Sequence, residues 1–162
     1  MLGFGDDRLP IYLNDHLAGA TAGVELARRV AGSNRSTSYG PVLERLAEEI
    51  EEDRRTLEDI MERLSVRRDR LKVALAWSGE KAGRLKLNGE LLRYSPLSRL
   101  EELEGLALGV EGKLALWQAL SDTYGDDSRL RGIDFEELIK RARSQRRRLE
   151  RQRRRAAAAA VR

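Results

Sequence analysis

Few residues in this chain could do chemistry. It has one histidine, His16, and no cysteine. Disulfides, thiolate metal sites and thiol nucleophiles are therefore excluded. A histidine base needs a nucleophile or a substrate pocket beside it, and no Ser/His/Asp arrangement is recognisable. His16 stands one residue before Leu17, at the edge of an apolar seam, so a half-buried, hydrogen-bonded ring is expected. No phosphate-binding loop, dinucleotide fingerprint or His-Glu-x-x-His pair is present. Two polar residues stand out by position. Asp53 interrupts the repeat Leu43, Leu46, Ile50, Asp53, Leu57, Ile60, Leu64, and Gln145 interrupts Phe135, Leu138, Ala142, Gln145, Leu149. A carboxylate buried without donors is destabilising by on the order of several kcal/mol, so a partner must exist. The expectation is that Asp53 and Gln145 hydrogen-bond to each other in mid-core, a polar layer that fixes helix register.

The other charged feature is a run of cations. Residues 140–155 carry ten Lys/Arg against one acid, Glu150. The whole chain is +4, so that segment holds +9 and the remainder is −5. Arg146, Arg147, Arg148, Arg151, Arg153, Arg154 and Arg155 are the anion-binding candidates. They could contact phosphates without reading sequence, because no aromatic residue interleaves them and no DNA-binding motif frames them. The competing target is the acidic Glu48–Asp53 face, in the same molecule or in a neighbour.

Helices must position all of these groups. Charged residues make up 36% of the 162 and aromatics 5%, and Leu, Ala, Glu and Arg dominate. That is a helix-forming composition, poor in strand formers. Apolar seams with 3-4 spacing mark helices at about Pro10–Ala31, Gly40–Leu64, Pro96–Tyr124 and from Asp134 onward. Asp134 and Glu137 form a capping-box pattern, and Ser95-Pro96 is a cap followed by a first-turn proline. A further helix is expected over Val66–Leu85, with a break at Ser65, because one helix from 40 to 86 would be roughly 70 Å long. Residues 86–95 read as a loop. Trp77 and Trp117 fall on apolar faces and read as core. Residues 1–150 are expected to form one domain, and 151–162 a basic, Ala-rich tail with little to pack against.

Glycines recur four apart on three segments: Gly19/Gly23, Gly79/Gly83 and Gly105/Gly109. Each interior helical glycine is unfavourable by about 1 kcal/mol relative to Ala. The expected compensation is close backbone approach, so that the Pro10–Ala31 and Pro96–Tyr124 helices pack tightly.

Two helix pairs joined by a long connection resemble the small bacterial ferritin-like bundle proteins, including the stress-associated YciF type. The resemblance rests on helix order and seam pattern over about residues 10–150. The segments Tyr12-Leu-Asn-Asp-His-Leu-Ala-Gly and Tyr94-Ser-Pro-Leu-Ser-Arg-Leu are similar to those of uncharacterised bacterial proteins. The resemblance implies an all-α, antiparallel four-helix bundle with an additional crossover helix and a basic C-terminal helix end. In metal-binding members one Glu comes from each of two helices and a Glu-x-x-His from each of the others. Glu25 and Glu111 match the single glutamates. The two motif positions instead read Ile50-Glu-Glu-Asp53 and Ala142-Arg-Ser-Gln145. The usual di-iron ligand set is thus broken, leaving Glu25, Asp53 and Glu111 as the only metal candidates.

The expected function is a non-enzymatic helical scaffold or interaction protein, without cofactor, associating with itself or with another protein. The alternatives are a ferritin-like metal-binding oxidoreductase with an atypical site, and a weak, nonspecific nucleic-acid binder. Met1–Pro10 has two aspartates and no apolar core, so it does not read as a signal peptide, and a cytoplasmic location is the default.

Overall fold

A computed structural model describes residues 8–70 and 94–161. Four long helices form it: α1 (Arg8–Ser33), α2 (Gly40–Arg63), α3 (Pro96–Tyr124) and α4 (Phe135–Ala160). A short 3-10 turn, Ser128–Leu130, precedes α4, and no strand occurs among the described residues. No helix among them is long and apolar enough to cross a membrane. Most of the helix expected over Val66–Leu85 lies outside the described residues, as do Trp77, Gly79, Gly83 and residues 86–93 of the expected loop.

Local chemistry sets the helix ends. Ser95 Oγ accepts from the Ser98 amide at 3.1 Å, with Pro96 in the first turn, and α3 begins there. Asp134 Oδ1 accepts from the Glu137 amide at 2.9 Å and starts α4. The reciprocal bond of the expected box is not found among the described residues; one Glu137 carboxylate oxygen lies 3.2 Å from Lys140 Nζ. At the end of α2 the Ser65 amide donates to Glu62 O (3.0 Å) and the Val66 amide to Met61 O (2.8 Å). This is the paired closure of a Schellman motif, with Ser65 left-handed at φ 58° where glycine is usual. Val66 and Met61 then meet in the core, and residues 66–69 are not helical.

The apolar seams bury into two clusters. One gathers Leu13, Leu17, Leu57, Ile60, Trp117 and Leu138. The other gathers Val24, Val30, Leu43, Leu46, Leu103 and Leu149. α1 lies against α2 and α3, and α4 lies against α3 and α2. Ion pairs mark these seams from outside: Arg28–Glu51 (2.7 Å) joins α1 to α2, Arg29–Glu102 (2.7 Å) joins α1 to α3, and Arg146–Glu111 (3.1 Å) joins α3 to α4. The expected tail after residue 150 is instead the last part of α4. Gln152 and Ala156 continue the 3-4 spacing from Leu149 and are buried, Ala156 in the cluster that holds Tyr39 and Leu43. Small alanines fit where the helix closes on those larger side chains.

Candidate functional site

Between the two apolar clusters lies one charged layer. On α2, Ile50 belongs to one cluster and Leu57 to the other, with Asp53 between them; Leu149 and Ala142 flank Gln145 on α4 in the same way. Asp53 is 1% exposed and Gln145 0%. Gln145 Nε2 donates to Asp53 Oδ2 at 3.0 Å. The Lys113 ammonium, from α3, donates to that same oxygen and to Gln145 Oε1. Arg141 Nη2 lies 2.6 Å from Asp53 Oδ1, and its Nη1 lies 3.0 Å from Glu52. One turn along, the Arg148 guanidinium grips both oxygens of Glu49, which also accepts from Gln145 Nε2 at 3.2 Å. Spacings of three and four (Glu49, Glu52, Asp53; Arg141, Gln145, Arg148) put each set on one helix face. Lys113, Arg141 and Arg148 thus balance Glu49, Glu52 and Asp53.

Environment tunes the ionisations. Burial lowers the Lys113 pKa below its ordinary value, and Asp53 opposes that shift without overcoming it. Burial also works against the Arg141 charge, but Asp53 and Glu52 prevail and raise it. Burial pushes Glu49 up, yet hydrogen bonds from Arg148 and Gln145 hold its carboxyl below the usual range.

Sequence reasoning missed Lys113 and Arg141. The signal available was the need for a donor beside Asp53: beyond its first turn, Lys113 is the one cation in α3. The single-glutamate candidates lie elsewhere. Glu25 pairs with Arg28 at 3.3 Å and Glu111 with Arg146 at 3.1 Å, all solvent-facing side chains. His16 packs edge-on against the Tyr12 ring, centroids 4.6 Å apart. Burial lowers its pKa against the opposing charge of Asp15. The expected hydrogen bond to His16 is not found among the described residues. Trp117 is fully buried, and its indole N–H has no partner.

The basic run divides by helix face. Arg146, Arg148 and Arg153 reach Glu111, Glu49 and Glu150. Arg155 donates to Ser38 Oγ at 2.8 Å and stacks 4.5 Å from the Tyr39 centroid, whose ring also meets Arg99 at 4.6 Å. Arg143, Arg147, Arg151 and Arg154 are exposed and make no hydrogen bond or ion-pair contact among the described residues, although the charge of Arg154 acts on Glu150. Their 4-4-3 spacing makes one outward row.

Four of the five glycines on these faces do the opposite of what close packing requires, and Gly105 is tight against α1. A Cβ added at Gly19, Gly23, Gly109 or Gly112 would meet nothing within 4 Å, and one at Gly105 would touch Leu26 Cδ2 at 3.3 Å. The expected tight approach of α1 and α3 is therefore corrected. These glycines line a cavity of about 210 Å³ between α1, α2 and α3, which reaches Asp53, Lys113 and Trp117. Four open glycines forgo about 4 kcal/mol of helix propensity relative to Ala, and the space they leave is what distinguishes them.

The layer does not fit a metal ion. Asp53 has its oxygens taken by Lys113, Gln145 and Arg141, and the Lys113 ammonium stands where a cation would have to enter. Like charges at that distance repel strongly in a partly desolvated site. Among the described residues no three His, Cys, Asp or Glu side chains converge to hold one. No protein-family model, curated protein or solved structure matches the chain. Fold and site together define an all-helical protein whose interior carries a self-neutralised charged layer beside a glycine-lined cavity.

Proposed function

We propose that this protein is a non-catalytic helical scaffold of ferritin-like layout, which binds other molecules rather than transforming them. The observation that supports it is the Asp53–Lys113–Gln145–Arg141 layer. Side chains that would have to be free to ligate or to transfer protons are paired with one another: Asp53 Oδ2 accepts from Lys113 and Gln145, and Asp53 Oδ1 is ion-paired with Arg141. The ladder of contacts favours antiparallel neighbours: Arg29 with Glu102 toward the end of α1, and Leu17 in one cluster with Trp117 nearer its start. The same holds for α2 and α4, where Glu49 meets Arg148 and Glu52 meets Arg141. Residues 64–95 then have the length of a crossover.

The partner proposed is a second copy of the chain. Leu108 is 77% exposed and Ile11 53%, on α3 and α1. Metal analysis of protein expressed with iron and manganese should find far less than one ion per chain. Stoichiometric metal that disappears in Asp53→Asn would overturn the scaffold reading. Light scattering should find a dimer that Leu108→Glu weakens; a monomer at high concentration would remove the self-association.

The free row Arg143, Arg147, Arg151 and Arg154 favours a second reading, nonspecific contact with a nucleic-acid backbone along roughly 16 Å of helix. Duplex DNA affinity should fall steeply with salt, and a variant with all four changed to Gln should lose both affinity and slope. No binding at low salt would end that reading.

A further inference from the structure

We propose that the cavity between α1, α2 and α3 is a binding site for a small, uncharged, largely apolar molecule bearing one hydrogen-bond acceptor, with a planar aromatic body. This goes beyond the scaffold reading and does not depend on it.

Size comes first. The volume is about 210 Å³. An engineered apolar cavity of about 150 Å³ takes benzene, so this one suits roughly eight to ten heavy atoms. Shape is next. Gly19 and Gly23 on α1, and Gly105, Gly109 and Gly112 on α3, present bare backbone on two sides of the space. Two such surfaces make a slot for a flat body. Ile50, Leu57, Leu106 and Leu116 supply apolar wall. Pockets between helices of a bundle are built in this way, apolar with few polar groups.

The polar groups define the rest. Trp117 forms part of the wall, is fully buried, and carries an indole N–H without a partner. Indole donates and cannot accept, so only an acceptor satisfies it. Lys113, also in the wall, uses two of its three N–H groups on Asp53 and Gln145. Both of these groups, at the buried end of the cavity, are donors; Asp15, His16 and Arg54 complete its lining where it is more exposed. A carboxylate would also meet donors, but it would bring a charge beside a layer that is already neutral, and its desolvation would go uncompensated. A cation would face the Lys113 ammonium. A carbonyl or ether oxygen on an aromatic ring meets neither penalty.

The test uses full-length protein and three probes of similar size: acetophenone, benzoate and benzylamine. In proton–nitrogen correlation spectra the Trp117 indole signal, assigned by its loss in Trp117→Phe, should shift and saturate with acetophenone. Benzoate and benzylamine should bind at least about tenfold more weakly. Gly23→Leu fills the slot from α1, and Gly109→Leu blocks it from α3, where the residue is exposed and need not disturb the fold. Each should weaken acetophenone by at least about tenfold with the helical spectrum retained; if the first fails to fold, the second decides. An unmoved Trp117 signal at millimolar acetophenone overturns the site. Benzoate binding as tightly as acetophenone overturns the ligand class. Unchanged affinity in a folded leucine variant overturns the location.

Discussion

Replacing Asp53 by leucine would complete the α2 seam Leu46, Ile50, Leu57, Ile60, and a reading from hydrophobicity alone expects stabilisation. The structure argues the reverse. Asp53 Oδ2 is the anionic acceptor of Lys113, whose side chain is 13% exposed. Without it the ammonium keeps only the neutral Gln145 Oε1 as an acceptor, with Glu49 acting through charge alone. Arg141 is less affected, since Glu52 remains at 3.0 Å. Removing one partner of a buried pair is unfavourable by about 3–5 kcal/mol. An independent ceiling agrees: neutralising a lysine of ordinary pKa at pH 7 requires about 5 kcal/mol. Burying the new leucine returns part of this, so Asp53→Leu should lose about 3 kcal/mol.

The decisive comparison is the double variant. Lys113→Met alone leaves Asp53 with Arg141 and Gln145 and should lose about 1–2 kcal/mol. In the Asp53→Leu background the same change removes the stranded charge, leaving chiefly Gln145 Oε1 without its donor, a penalty of about 1 kcal/mol. Lys113→Met should therefore stabilise Asp53→Leu by about 2 kcal/mol, a reversal of sign. Urea unfolding followed by circular dichroism reads this from midpoints at constant slope. Asp53→Leu should also gain stability as pH rises above neutrality, because its unfolded state then holds a proton on Lys113 that the folded state sheds. A loss below about 1 kcal/mol for Asp53→Leu, or a Lys113→Met penalty that simply adds to it, would refute the reasoning.

Four further outcomes are expected. Gly23→Ala and Gly109→Ala, whose new Cβ atoms meet nothing, should each stabilise by about 1 kcal/mol and raise Tm by about 2–4 °C in calorimetry. Gly40→Ala should destabilise, because its Cβ would lie 2.6 Å from Arg35 O. Against burial, Arg148 and Gln145 hold the Glu49 carboxyl below its ordinary value of 4.5, so its contribution is present above about pH 4.5 and lost as pH falls through the folded value; urea midpoints should therefore drop more steeply in acid for the native chain than for Glu49→Gln. Ser95→Ala and Asp134→Ala should each lose about 1 kcal/mol with the amide bonds they accept, measured by thermal unfolding.

The four described helices were legible in the sequence, and helix ends were legible where they carry local chemistry. Ser95, Pro96 and Gly125 bracket α3, and the observed helix matches residue for residue. Pro10 lies in the first turn rather than opening it, so α1 starts two residues earlier, at Arg8. The end of α2 was harder, because Ser65 takes a left-handed conformation with no glycine to announce it. Asp53 and Gln145 were visible because each interrupts an aliphatic repeat, a purely one-dimensional signal. Lys113 gave no such signal. A lysine lays its long stem along apolar surface from the edge of a seam, so its position resembles that of an exposed residue. The glycine spacing was equally visible but ambiguous. Four-residue repeats leave a bare helix face whether another backbone closes on it or a gap remains, and only the placement of α1 against α3 decides.

The layer and the cavity lie at one level of the structure, and each bears on the energetics of the other. Lys113 and Asp53 belong to both. A charged layer sealed in hydrocarbon would suffer full desolvation of every member. Here one flank opens onto a space lined by glycine backbone, whose peptide dipoles and access to water soften that penalty for Lys113. In return, the layer supplies what the glycines take away. α1 and α3 lose side-chain contacts and helix propensity at their glycine-rich middle, where a bundle would otherwise interlock. A directional set of bonds from α2, α3 and α4 at that same level defines register without needing bulk. Sliding α4 by one turn would bring Ala142 or Leu149 opposite Asp53 and strand two charges. An apolar layer would penalise such a slip far less. The interior thus remains specific while leaving room.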